Sequence, residues 1–208
     1  MVSASNSTGR LREHLRMAIV HGVEGLTRED KDDLYVISLL VQDKDDDPRR
    51  PTVTVGHNTE RRARECTPAL GQRAKWPIAS DASEARWNYA FWLQDTLAVA
   101  CDPNTDPRGA YLVEEWAREL GYWYTDEDAN RDFDTTLSKD EQLTTAFVEL
   151  LVAVVTDLHS GGDVTRYLGR RVPILIHELE YYEAIADQNA RANPPDLVRD
   201  FASWVLSS

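Results

Sequence analysis

Apolar residues recur at intervals of three and four positions near the start of the chain. Leu11, Leu15, Ile19 and Val23 fall on one stripe, the spacing of an amphipathic helix whose apolar side is buried. The pattern predicts a helix over residues 9–25. The polar residues 1–8 carry no such stripe, and we expect them to form a disordered lead.

Two runs rich in β-branched residues, at 34–42 and 52–57, predict a β-hairpin. The polar connection between them contains four aspartates and two prolines, which is typical of an exposed turn. A third apolar run over residues 172–177 predicts a short buried strand, with Pro173 tolerated near its start. The three strands together predict a small sheet that is mainly antiparallel.

Helix-terminating residues mark further helices in the second half of the chain. Asp106 and Pro107 are typical of an N-cap followed by the first helical residue, and Gly121 is typical of a helix end. Ser138 and Glu141 have the spacing of a capping box. A long apolar stripe follows them as far as the glycines at 161 and 162, and two shorter helical patterns follow residue 180. The helix with the long stripe is predicted to be the central one.

Residues 85–101 fit two patterns. Tyr89 and Trp92 begin a helical stripe behind Asn88, which predicts a helix over 89–101. The alternation of Trp87, Tyr89, Phe91 and Leu93 is a competing strand pattern, which period alone does not exclude. We favour the helix, and the strand stays open at this point.

These elements predict a single α+β domain over residues 9–208, with the small sheet packed against several helices. The two cysteines are too few for a disulfide-stabilised scaffold, which favours a reducing cytoplasm. The N-terminus lacks the apolar core of a signal peptide, and the longest apolar stretch, residues 146–155, is too short to span a bilayer. We expect a cytoplasmic protein with no membrane segment.

The charge balance bears on the kind of partner. The chain has 23 Lys and Arg against 36 Asp and Glu, a net charge of −13, which disfavours nucleic acid as a partner. The acidity is concentrated in residues 102–141, which hold twelve acidic and four basic residues. Such a segment is either a solvated surface or a surface that binds a basic partner.

Aromatic residues precede the most acidic run of this segment. Large amphipathic rings beside carboxylates are typical of a protein-binding surface. The same rings could instead fill the core beneath the helix that ends at Gly121. The predicted binding residues are Tyr122, Trp123, Tyr124, Asp126, Glu127 and Asp128.

Motifs for catalysis are absent from the sequence. His177 and Glu178 resemble the start of a zinc-protease helix, but the required second histidine is replaced by Tyr181. We expect no metal and no cofactor. An enzyme, if there is one, would use residues at the predicted strand ends and the Trp segment: His57, Asn58, Trp87, His177 and Glu178.

Several short motifs resemble a bacterial family known as domain of unknown function 4303. They are the stretch 172–182, Asn193-Pro194-Pro195 with Phe201, the step Asn58-Thr59-Glu60 after the hairpin, and the tryptophans Trp87 and Trp92. The resemblance covers roughly residues 10–205, although the segment 102–134 is longer and more acidic than the family pattern. It implies a cytoplasmic α+β protein, with immunity-like binding in bacterial conflict systems for some members. It transfers no catalytic residues.

The sequence therefore favours a non-catalytic protein-binding module over an enzyme. The resemblance suggests an immunity-like protein that binds a basic partner through the acidic and aromatic segment. The alternative is a small enzyme with a site near His57, Trp87 and His177. The sequence sets neither the partner's identity nor the oligomeric state.

Overall fold

The computed structural model describes residues 4–68 and 76–207, with the side chains described from Ser7 onward. The helices in these residues are α1 (Ala4–Glu24), α2 (Arg28–Asp33), α3 (Glu60–Glu65), α4 (Ala82–Trp87), α5 (Pro107–Leu120), α6 (Asp126–Arg131), α7 (Phe133–Gly161), α8 (Asp163–Leu168), α9 (Glu183–Ala192) and α10 (Pro195–Val205). The strands are β1 (Leu34–Asp43), β2 (Pro51–Thr59), β3 (Ala98–Ala100) and β4 (Ile174–His177).

The four strands form one mixed sheet in the order β3-β2-β1-β4. β2 pairs antiparallel with β1 and β3, so the predicted hairpin is confirmed. β4 confirms the third predicted strand and pairs parallel with β1, with Leu40 opposite His177. The fold class is α+β, as predicted. The parallel pair matters for the site because it brings the carboxyl ends of β1 and β4 to the same edge of the sheet.

The two faces of the sheet pack against different cores. Ile37 and Ile176 belong to a core shared with α1, α5 and α7, whereas Val36 and Leu175 belong to a second core that contains Trp87 and residues of α9 and α10. β1 is buried on both faces over its first eight residues. A strand covered on both sides is apolar at nearly every position, which is why the sequence shows a continuous apolar run there.

α7 is the central helix of the larger core. Phe147 and Leu151 on it are fully buried, and it ends at the predicted glycines, where Gly162 has a φ of 66°. Its start differs from the prediction. Asp132 is the N-cap and accepts a hydrogen bond from the Thr135 amide, while Ser138 lies inside the helix. The predicted capping box is wrong because the helix already begins at Phe133, where the Asp132 side chain caps it.

Among helices of the described segments, α7 has the length and apolar composition needed to cross a membrane. The core helix of a soluble protein meets both criteria, so they are weak evidence for a membrane span. α7 packs against α1, α8 and α9.

Two further predictions need correction. α1 begins at Ala4, so most of the expected disordered lead is helical, and Ser7 is buried and donates a hydrogen bond to Glu119. The predicted helix over 89–101 is wrong. Tyr89–Phe91 form one 3-10 turn, and residues 98–100 pair with β2 as an edge strand. Here pairing with a distant strand outweighs the local period.

Candidate functional site

The predicted aromatic segment is held largely inside the protein. Tyr124 is buried, and its hydroxyl donates a 2.6 Å hydrogen bond to the Asp140 carboxylate. Tyr122 and Trp123 are partly buried and pack against the larger core. The structure thus places these three rings mainly in a packing role.

The same segment binds an arginine of the chain itself. The Arg49 guanidinium lies 5.0 Å from the ring centroid of Tyr124 and 5.9 Å from that of Trp123. It also pairs with Asp126 at 2.7 Å and with Asp47 at 2.7 Å. Rings and carboxylates therefore recognise a guanidinium at this position, and the β1–β2 connection supplies it.

The acidic part of the segment remains open to solvent. The side chains of Asp126 and Glu127 are 86% and 85% exposed. Asp128 accepts a hydrogen bond from the Thr125 amide in the capping box of α6. Arg131 pairs with both Glu127 and Asp128, so α6 neutralises part of its own charge.

His177, at the end of β4, forms a buried hydrogen-bonded pair with Ser38. Its Nδ1 lies 2.9 Å from the Glu178 carbonyl oxygen, which can only accept, so Nδ1 carries the proton. Its Nε2 lies 2.8 Å from Ser38 Oγ and accepts the hydroxyl proton. Burial removes the imidazole from water and lowers the pKa of His177 to about 4, so the ring is neutral.

Aromatic rings enclose this pair. The centroids of Tyr89, Trp92 and Tyr181 lie 5.0, 5.5 and 5.9 Å from that of His177. A serine donating to a histidine is the arrangement of a nucleophile and its base. Ser38 is only 2% exposed and His177 0%, so the pair is closed to a substrate in this conformation. We call Ser38, His177 and the three rings the closed box.

The remaining residues of the predicted pocket lie elsewhere. His57 pairs with Ile37 and Gly56 with Ser38, so the side chains of His57 and His177 lie on opposite faces of the sheet. His57 Nδ1 lies 2.7 Å from the Asp95 carboxylate, in an ion-pair contact that is not aligned as a hydrogen bond.

Asn58 and Trp87 belong to the second core. The Asn58 amide donates to the Tyr35 hydroxyl at 2.9 Å, and Trp87 packs edge-on against Tyr35 and Phe201. The tryptophan beside His177 is Trp92. The structure does not bring the five predicted pocket residues together.

An open acidic groove lies where β1 and β4 end. It has a volume of about 310 Å³, and its lining includes Asp43, Glu178, Leu179, Glu180 and Tyr182. Parallel pairing positions these residues, because Asp43 ends β1 and Glu178 follows β4 directly. We call these five residues the acidic groove.

The charges in the acidic groove repel one another. Partial burial raises the pKa of Asp43, and the neighbouring carboxylates of Glu178 and Asp140 raise it further. No lysine or arginine is present among the described residues that line the groove. Asp140, which raises the pKa of Asp43, also accepts the hydrogen bond from the Tyr124 hydroxyl.

The acidic groove is not among the sites predicted from the sequence, although Glu178 is one of the predicted pocket residues. The available signal was that acidic residues follow the predicted ends of two strands, at Asp43 and Glu178. Using that signal required the knowledge that the two strands are parallel neighbours.

Comparison of the chain with protein-family models, with curated proteins and with solved structures found no match. The interpretation of the site therefore rests on its geometry and charge.

Proposed function

We propose that the protein is a non-catalytic binding module that recognises a basic segment of a partner protein through the acidic groove. The observation that carries the proposal is the clustering of the Asp43, Glu178 and Glu180 carboxylates in a groove whose described lining residues include no cation. The raised pKa of Asp43 agrees with this crowding of negative charge. Carboxylates held close together without a counter-charge attract an external cation. An arginine or lysine of a partner would relieve this repulsion.

Apolar side chains beside the carboxylates support binding of a protein rather than of a free cation. Leu179 is 65% exposed and Tyr182 47% exposed, both within the groove. Apolar and aromatic anchors surrounded by polar groups are the usual core of a protein interface.

The positions of the two histidines agree better with a binding role than with a catalytic role. His177 is neutral and enclosed, and His57 lies on the other face of the sheet. An immunity-like protein that neutralises a basic toxin is one biological form of such a module, and it is the form that the motif resemblance suggests.

The test is to isolate partners of the full-length protein from the organism that encodes it and to purify the one most enriched. We expect a basic protein whose association rate with this chain falls steeply between low and physiological salt, because ions screen long-range attraction. An acidic partner, or an association rate that salt does not change, would contradict the proposal.

A further inference from the structure

A second cavity lies between α1 and the start of α5. It has a volume of about 430 Å³, and the side chains that line it include Arg10, Glu13, His14, Met17, His21 and Arg108. A cavity of this size accommodates a small molecule. Its lining is rich in arginine and histidine, in contrast to the acidic groove.

His14 is oriented in this cavity by Asp106. Its Nε2 lies 2.6 Å from Asp106 Oδ2, and a carboxylate accepts, so Nε2 carries the proton. Asp106 is itself fixed, because its carboxylate accepts from the Cys101 amide at 2.9 Å and from the Gly109 amide at 3.1 Å. The second ring nitrogen, Nδ1, is left for another partner.

The backbone is fitted to this pair. A Cβ at Gly109 would lie 2.0 Å from Asp106 Oδ2 and 2.7 Å from His14 Nε2. Any side chain at position 109 would therefore force the carboxylate and the imidazole to move. Glycine at this position keeps the pair in contact.

Two acidic groups near the cavity are already paired with arginines. Glu13 is held by Arg16 at 2.8 Å, which lowers the pKa of that carboxyl group, and Glu115 is held by Arg10 at 2.7 Å. Arg108, by contrast, has no ion pair within residues 4–68 and 76–207. An anion in the cavity would therefore meet an unpaired guanidinium and an oriented imidazole.

We propose that this cavity binds the phosphate group of a small phosphorylated molecule. Arg108 supplies a planar guanidinium donor, and Nδ1 of the oriented His14 ring is a second hydrogen-bonding atom for the phosphate group. Met17 offers an apolar contact for the organic part of the ligand. The site is separate from the acidic groove, and it can be tested independently of the proposed function.

The experiment records the imidazole ¹⁵N signals of the full-length protein during titration with inorganic phosphate and with phenyl phosphate, at constant pH and ionic strength. We expect the ring-nitrogen signals of His14 to shift with ligand concentration and those of the enclosed His177 to stay unchanged. Saturation at lower phenyl phosphate concentration assigns the site to phosphate esters, whereas saturation at lower inorganic phosphate concentration assigns it to the free ion. A His14 signal that responds to neither compound overturns the proposal.

Variants test the contribution of Arg108. Arg108→Gln removes a charge-assisted hydrogen bond and should weaken phosphate binding about tenfold or more. The matched control is Arg199→Gln, which removes an exposed arginine of α10 and should leave binding unchanged. Arg108→Lys keeps the charge and should retain part of the affinity, provided that circular dichroism shows all three variants folded. Equal phosphate affinity of Arg108→Gln and the wild-type protein would also overturn the proposal.

Discussion

The closed box and the acidic groove are adjacent in the chain, but the box keeps its titratable side chain neutral, whereas the groove keeps its carboxylates charged. His177 is fully buried, and Leu179, two residues further on, is 65% exposed. In the box, burial disfavours the charged imidazole, which stays neutral and satisfies both ring nitrogens within the protein. In the groove, Asp43 is disfavoured as an anion by partial burial and by other anions, and no lining cation compensates it. The closed box therefore contributes to stability, whereas the acidic groove keeps charge that can bind a partner.

Truncation of a side chain should show the largest difference between the two regions, measured as the free energy of unfolding. Trp92 is fully buried, touches His177 and Tyr89, and donates from Nε1 to the Arg86 carbonyl at 2.9 Å. Trp92→Ala should lower the free energy of unfolding by about 3–5 kcal/mol, as large truncations in a core do. Leu179→Ala in the groove should change it by less than about 0.5 kcal/mol.

Denaturant unfolding of both variants measures this contrast. A cost below about 1 kcal/mol for Trp92→Ala would show that the box is not a packed core. A large cost for Leu179→Ala would show that the groove is part of the stabilising structure.

The pH dependence of the free energy of unfolding should show that the buried imidazole of His177 in the closed box is neutral. The pKa of His177 is about 4 in the folded protein and about 6.5 in an unfolded chain, so only the unfolded state takes up the proton between these values. Stability from this group is therefore complete above pH 6.5 and declines as the pH falls, by about 3 kcal/mol at pH 4.

His177→Gln is the control, since glutamine does not titrate. The difference in unfolding free energy between wild-type protein and this variant should shrink as the pH falls from 7 to 4. A difference that stays constant over this range would contradict a buried neutral imidazole.

A smaller effect of opposite sign is expected in the groove. The pKa of Asp43 is raised in the folded protein, so its charged form opposes folding at neutral pH. Asp43→Asn should stabilise the protein by a few tenths of a kcal/mol, because solvent screens a carboxylate that is only partly buried. Thermal unfolding at pH 7 measures this change in stability. A loss of stability would contradict the repulsion and would indicate that the Asp43 carboxylate has a stabilising partner in the folded protein.

The sequence predicts the elements better than their arrangement. The hairpin and α5 follow from local signals, the latter from Asp106, Pro107 and Gly121. The prediction of a helix over residues 89–101 is wrong, because Tyr89 and Trp92 pack around His177 instead of forming the apolar side of a helix. No local signal encodes a contact with a residue so distant in the chain.

The sites show the same limit. Ser38 and His177 are separated by 139 positions, and His14 and Asp106 by 92. The acidic groove depends on β4 lying parallel to β1, and a sheet predicted to be mainly antiparallel does not bring those strand ends together. The acidic and aromatic segment is visible in the sequence, but the arginine that occupies it is not.

We propose that the acidic groove, rather than acidity in general, binds the partner. The most direct measurement compares the affinity of the purified partner for three proteins: the wild type, Asp43→Asn with Glu178→Gln, and Glu24→Gln with Asp200→Asn. The last pair removes the same charge from exposed positions outside the groove. We predict that the groove variant binds about tenfold or more weakly, since contacts to charged groups contribute about 1.5–3 kcal/mol, and that the control binds like the wild type. Equal weakening in both variants, or none in the groove variant, would contradict the account.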